Sequence, residues 1–177
     1  MDNKELIKNT MAVIPDFPKK GISFKDITPI FAKPEVFKIT INEMINTIKD
    51  KQFDCIAGIE SRGFWFGVPI AQALNLPFIP IRKKGKLPRP TVEVTYDLEY
   101  GKDTLTVHKD DIKPGSKVLV IDDVVATGGT LVAVKQMMEK LGAKCDDVLV
   151  LGYLKDLESS LTKLKEKGLN VHWLIQL

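Results

Sequence analysis

The strongest constraint on this chain is one string near its middle, Val118-Leu119-Val120-Ile121-Asp122-Asp123-Val124-Val125-Ala126-Thr127-Gly128-Gly129-Thr130. Its four leading apolar residues read as a buried strand. An acidic pair and a turn of small residues follow, and a helical pattern runs from Thr130 to Leu141. Strand, turn and helix in that order form the unit of a parallel sheet, and ligands of open α/β sheets bind beyond the carboxyl ends of the strands. This turn stands where a ligand is expected.

The residue types narrow the ligand. Gly128 and Gly129 carry no side chain, so backbone N–H groups can converge on an anion at the positive end of the following helix. Thr127 and Thr130 add hydroxyl donors. Asp122 and Asp123 would repel phosphate and are better matched to sugar hydroxyls or Mg²⁺. Phosphate together with a diol describes a ribose phosphate. The plainer alternative is a Gly-Gly turn that only lets a strand enter a helix, with aspartates as caps. The whole string is far more specific than its Gly-Gly-Thr core. It lacks the Lys that follows glycine in a nucleotide P-loop, which argues against an ATPase.

The same grammar repeats around it. Cys55–Ile59, Phe78–Ile81, Lys117–Ile121 and Val148–Tyr153 read as strands, with Phe64–Leu74 and Thr130–Leu141 as helices between them. The expected fold is α/β with a central, mainly parallel sheet flanked by helices. Thr91–Leu98 and Thr104–His108 are β-rich and joined through Glu99-Tyr100-Gly101-Lys102, which suggests an antiparallel ribbon. Leu157–Lys167 reads as a helix and Val171–Ile175 as a last strand. Near the start, Met1 to Ile14 reads as an amphipathic helix ended by Pro15, and Asp16–Asp26 as a structured loop. Phe37, Ile41, Met44, Ile45 and Ile48 recur at helical spacing and predict a core-facing helix ending near Lys51. No repeat or linker divides the 177 residues, so one domain over 1–177 is expected.

Composition excludes several classes. A hydrophobic fraction of 44% and a charged fraction of 28% are ordinary for a globular protein. The 26 basic residues exceed the 23 acidic ones too slightly to indicate nucleic acid. Cys55 and Cys145 lack metal-site or redox spacing and read as buried free thiols. The opening residues lack the apolar core of a signal peptide, and nowhere do about 18 apolar residues run together. A cytoplasmic protein with no membrane or nucleic-acid partner is expected.

Three further segments bear on chemistry. Glu60-Ser61-Arg62-Gly63 follows the first core strand, where Arg62 offers a planar cationic fork to phosphate oxygens, unless it merely pairs with Glu60 on the surface. Arg82-Lys83-Lys84-Gly85-Lys86 packs four cations into five residues, which elsewhere is usually a solvated face. Phe24 offers a flat apolar face to a base, and the backbone of Lys25 could serve the base's polar edge, unless Phe24 and Ile22 only anchor the loop.

The string Val118–Thr130 resembles the phosphoribosyl-pyrophosphate signature of the type I phosphoribosyltransferases. Phe17–Ile30, Gly58–Gly67 and Ile81–Gly101 resemble the adenine-specific branch of that family in the same order and spacing. The resemblance implies a small amino-terminal hood over roughly residues 1–33 and a flexible β-loop beside the site. It implies transfer of a phosphoribosyl group from 5-phosphoribosyl-1-pyrophosphate to adenine, giving AMP and pyrophosphate. Mg²⁺ is implied as cofactor, bound through pyrophosphate and ribose hydroxyls without a direct protein ligand, and the assembly as a homodimer.

By the same resemblance, Asp122, Asp123, Ala126, Thr127, Gly128, Gly129 and Thr130 hold the ribose and its 5-phosphate. Glu60, Ser61, Arg62, Lys83 and Lys86 face pyrophosphate, with a cis peptide between Glu60 and Ser61. Ile22, Phe24 and Lys25 face adenine. Glu99, Arg62 and Arg82 are implied in catalysis, Arg82 through the neighbouring subunit's site. Glu99 could draw a proton from a ring N–H of adenine, or be an exposed turn carboxylate. Departures from the family pattern are Ser61 for Ala, Val124-Val125 for Leu-Leu, and Arg89, which enlarges the cationic region. Rival readings are a 6-oxopurine enzyme of the same fold and a purine regulator that senses phosphoribosyl-pyrophosphate.

Overall fold

The computed structural model describes residues 2–97, 101–154 and 158–177. Strand β3 (Cys55–Ile59) is buried at every position, and β7 (Lys117–Val125) is buried from Val118 to Ile121. Successive side chains on a strand point to opposite faces, so a strand buried on both must lie between two cores. That is the arrangement found. Val118 and Val120 enter one core with Val134, Met137 and Met138 of α5 (Gly129–Lys140). Leu119 and Ile121 enter the other, with Ile7 of α1 (Asn3–Thr10), Met44 of α3 (Pro34–Asn46), and Phe66 and Ile70 of α4 (Arg62–Leu74). Truncating a side chain as enclosed as Leu119 to Ala would cost about 2–5 kcal/mol.

The sheet has seven strands in the order β5-β6-β4-β3-β7-β8-β9. Here β4 is Phe78–Lys83, β5 Thr91–Asp97, β6 Lys102–His108, β8 Lys144–Tyr153 and β9 Asn170–Gln176. β3 runs parallel to β4 and β7, β7 to β8, and β8 to β9. The β5–β6 ribbon joins this parallel core antiparallel, through β6 on β4. The fold is therefore α/β with a central, mainly parallel sheet, as the strand–helix grammar predicted. Helix α6 (Glu158–Glu166) leads into β9.

Several boundaries differ from the sequence expectation: α3 ends at Asn46 rather than near Lys51, β8 begins at Lys144 rather than Val148, and two further differences bear on the site. The first helix stops at Thr10, and Ala12–Pro15 instead forms β1, paired antiparallel with β2 (Ser23–Asp26). Met11 is already extended, and Val13 and Ile14 favour a strand once a partner is present. Pro15 sits where an edge ladder tolerates the missing donor. Short helix α2 (Thr28–Phe31) follows. The second difference is that β7 does not end before the acidic pair but continues to Val125, because β8 runs alongside and pairs Asp122 with Val150 and Val124 with Gly152.

Candidate active site

Asp122 and Asp123 both lie within β7, close enough that the Asp123 side chain bears on the Asp122 carboxyl. Asp123 is 7% exposed. Asp122 is partly exposed, and one of its carboxylate oxygens accepts the Asp123 N–H at 2.9 Å. Desolvation, and then the neighbouring Asp123 charge, push Asp122 well above the usual carboxylate range.

Beyond Val125 the chain makes the short turn Ala126-Thr127-Gly128 and enters α5. Gly128 has φ +84°, a conformation that side chains rarely adopt. A Cβ there would also lie 3.0 Å from Leu164 of α6, so this helix leaves room only for glycine. No side chain caps the start of α5, which leaves its first N–H groups for an anion. Ala126, Thr127 and Gly129 are exposed there, and Thr130 is half-buried.

The loop after β3 lies beside this turn. The Glu60–Ser61 peptide is cis, and α4 begins at Arg62. A Cβ on Gly63 would stand 2.5 Å from the Ile121 carbonyl oxygen, so only glycine lets α4 start this close to β7. The close approach brings Arg62 to Asp123, with Nη1 2.7 Å from Oδ2. The contact is an ion pair without hydrogen-bond geometry, and Oδ2 is a buried acceptor that receives no hydrogen bond. It meets the Arg62 charge but no hydrogen-bond donor, and an enclosed acceptor gains from one.

Arg62 also reaches the amino-terminal ribbon, its guanidinium carbon 5.7 Å from the ring centroid of Phe24. Phe17 packs edge-on against the same ring at 5.2 Å. A mainly apolar cavity of about 470 Å³ opens here, lined by Ile14, Phe17, Phe24, Ile27, Arg62 and Trp65 among others. Ile22 is 45% exposed and is not in this lining, nor is Lys25, although Lys25 adjoins Phe24 in β2. Trp65 was not singled out from the sequence, yet it stands three residues after Arg62, one turn along the same helix face.

The cationic run begins at the end of β4. Glu60 accepts from Arg82 Nε at 3.2 Å, from Arg82 Nη2 at 3.3 Å and from the Lys83 backbone N–H at 3.0 Å. Burial raises the Glu60 carboxyl, but the hydrogen bonds from Lys83 and Arg82 outweigh it and hold the group below its ordinary value. Arg82 Nη1 also donates to the Lys86 carbonyl at 3.3 Å. Within this chain Arg82 is thus tied to its own Glu60. Lys83 pairs with Asp103 at 3.1 Å and Lys84 with Glu93 at 3.0 Å. Arg89 grips Asp111 with both guanidinium nitrogens, at 2.9 and 2.7 Å, and so belongs to a separate clamp. Lys86 makes no ion pair among the described residues. Glu99 lies outside the described residues, just past the last ladder pair, Asp97 with Lys102.

Residues 28–154 match the family described as "Phosphoribosyl transferase domain". The adenine phosphoribosyltransferase of Clostridium perfringens is 49% identical over 169 residues, covering 96% of each chain. Among solved structures, the adenine phosphoribosyltransferase of Thermoanaerobacter pseudethanolicus matches with a TM-score of 0.91 at 42% identity, covering 98% of this chain and 99% of that one. The Saccharomyces cerevisiae enzyme, solved with adenine and an imino-altritol bisphosphate, matches with a TM-score of 0.89 at 35% identity, covering 98% of each chain. The chain belongs to the adenine phosphoribosyltransferases, a family of pentosyl transferases.

Proposed function

We propose that the chain converts adenine and 5-phosphoribosyl-1-pyrophosphate to AMP and pyrophosphate. The observation that carries this reading is the buried Asp123 Oδ2, an acceptor without a hydrogen-bond donor, set beside the uncapped start of α5. A ribose hydroxyl would supply the missing donor while its 5-phosphate takes the N–H groups of Gly129 and Thr130 and the hydroxyls of Thr127 and Thr130. Gly128 and Ala126 leave that cradle unobstructed.

Ser61, Arg62, Lys83 and Lys86 would face pyrophosphate beyond the anomeric carbon. Adenine would stack on Phe24 in the cavity that Ile14, Ile27 and Trp65 also line, with Ile22 and the Lys25 backbone outside that lining. As the bond from C1′ to pyrophosphate breaks and the bond to the base nitrogen forms, the ring proton passes to Glu99. The residues bind, align and neutralise, and no covalent nucleophile is required.

Mg²⁺ prefers phosphate oxygens and water, with at most one or two carboxylates, and the donor set here suits that habit. Among the described residues no cluster of three or more His, Cys, Asp or Glu forms a cage. When bound through pyrophosphate and the ribose hydroxyls that Asp122 and Asp123 accept, the ion would neutralise the leaving group. We further propose a homodimer, on the family resemblance. No helix of the described residues is long and apolar enough to cross a membrane.

Incubation with Mg²⁺, 5-phosphoribosyl-1-pyrophosphate and each purine in turn tests the reading. AMP from adenine with little product from guanine or hypoxanthine is expected. Equal rates on guanine would move the chain to the 6-oxopurine class.

A further inference from the structure

A carboxylate is a poor neighbour for pyrophosphate, yet Glu60 opens the loop proposed to hold it. Its two oxygens are engaged by three donors, all from the turn at the end of β4: Arg82 Nε, Arg82 Nη2 and the Lys83 N–H. The Glu60 backbone continues the tie, since its N–H donates to the Ile81 carbonyl at 2.9 Å. Arg82 in turn closes on its own turn through the Lys86 carbonyl. The side chain therefore faces the cations rather than the space where an anion would sit.

We infer that Glu60 is a positioning residue, which fixes the Arg82–Lys86 turn to the Arg62 loop so that cations from two separate loops meet one pyrophosphate. This rests on the proposed pyrophosphate subsite and concerns how that subsite is built. Glu60 holds Arg82 by two donors of one planar fork, which sets the orientation of the guanidinium as well as its position.

The sign of the effect separates this role from the alternatives. If Glu60 were only a nearby negative charge, Glu60→Gln would remove repulsion and pyrophosphate would bind more tightly. If Glu60 touched pyrophosphate independently of Arg82, losses from Glu60→Gln and Arg82→Ala would multiply. A positioning role predicts weaker binding in Glu60→Gln and little further loss when Arg82 is already gone.

The test is calorimetric titration of pyrophosphate with Mg²⁺ into wild type, Glu60→Gln, Arg82→Ala and the double variant. Each single change is expected to weaken binding roughly 10-fold, and the double variant to stay near 10-fold rather than reach about 100-fold. KM for 5-phosphoribosyl-1-pyrophosphate should rise with the same pattern while KM for adenine stays within about twofold. Tighter binding in Glu60→Gln, or a multiplicative double variant, would overturn the inference. Should Glu60→Gln fail to fold, the cycle is run with Glu60→Asp, which keeps the charge but shortens the reach, and a multiplicative double variant overturns the inference there too. Absence of pyrophosphate binding in wild type would instead strike the underlying subsite, so the two failures are distinguishable.

Discussion

Arg62 Nη1 stands 2.7 Å from Asp123 Oδ2, joining the first turn of α4 to the end of β7 across the mouth of the sheet. The carboxylate is enclosed and the guanidinium is partly in solvent, so the partners do not respond alike to loss of the other. Arg62→Ala strands a buried charge and should lower stability by about 1–3 kcal/mol, read from urea unfolding. Adding Asp123→Asn to that variant should restore part of the loss. Equal stability of the single and double variants would mean that Asp123 does not feel the guanidinium.

Asp122→Asn and Asp123→Asn keep side-chain size but lose charge-assisted acceptance from ribose hydroxyls. Each is expected to weaken use of 5-phosphoribosyl-1-pyrophosphate by roughly 10- to 100-fold. Steady-state kinetics on the two variants measure this, and unchanged kcat/KM in both would remove the pair from the site.

Gly63→Ala places a methyl group against the Ile121 carbonyl oxygen, 2.5 Å away on unshifted backbone. Neither atom sits at the end of a flexible side chain, so α4 must retreat. The expected cost is about 1–3 kcal/mol of stability, together with reduced turnover because Arg62 moves with the helix. A thermal unfolding midpoint and a kcat both equal to wild type would show that α4 does not need this close approach.

For Glu99, Gln preserves shape without basicity and Leu removes both. Turnover should fall in both variants, further in Glu99→Leu, with modest change in phosphoribosyl-pyrophosphate affinity. The measurement must be made with chemistry rather than product release limiting. Undiminished turnover in Glu99→Leu under that condition would assign the proton to another group.

Asp147 on β8 accepts from Lys51 at 2.8 Å and from His172 on β9 at 2.7 Å. Burial raises its carboxyl, but the hydrogen bonds from His172 and Lys51 prevail and hold it below the ordinary value. The folded state then binds fewer protons than the unfolded one as acid is added, so the stabilisation is present above the unfolded carboxylate value near about 3.9 and lost below it. Urea midpoints should fall as pH drops through about 4, and less steeply in Asp147→Asn. An identical slope in the variant would exclude this cluster as a source of acid sensitivity.

The string from Val118 to Thr130 was legible because its signals are local: a doubly buried apolar run, then glycines ahead of a helix. That Asp122 and Asp123 lie within the strand was not, since it depends on β8 extending beside them. Ile7, Met11 and Ile14 share helical spacing, which hid β1; its partner β2 begins at Ser23, beyond any local pattern. The cationic run was visible, but not the acids that hold it. Asp103 meets Lys83, and Glu93 meets Lys84, only because β4, β5 and β6 adopt one particular register. Charge on a segment is written in its residues; which charge it meets is written in the sheet.

A Cβ on the left-handed Gly128 would come within 3.0 Å of Leu164, so α6 stands close against the turn. The anion cradle is therefore not a portable loop. A graft of Val118–Thr130 into another scaffold would carry the glycines and the acids but leave behind the wall that limits how far the turn can relax. Such a graft would bind phosphate poorly until a side chain of Leu164's bulk was supplied at the same place, and shaving Leu164 in the parent chain would loosen the cradle without altering a residue within it.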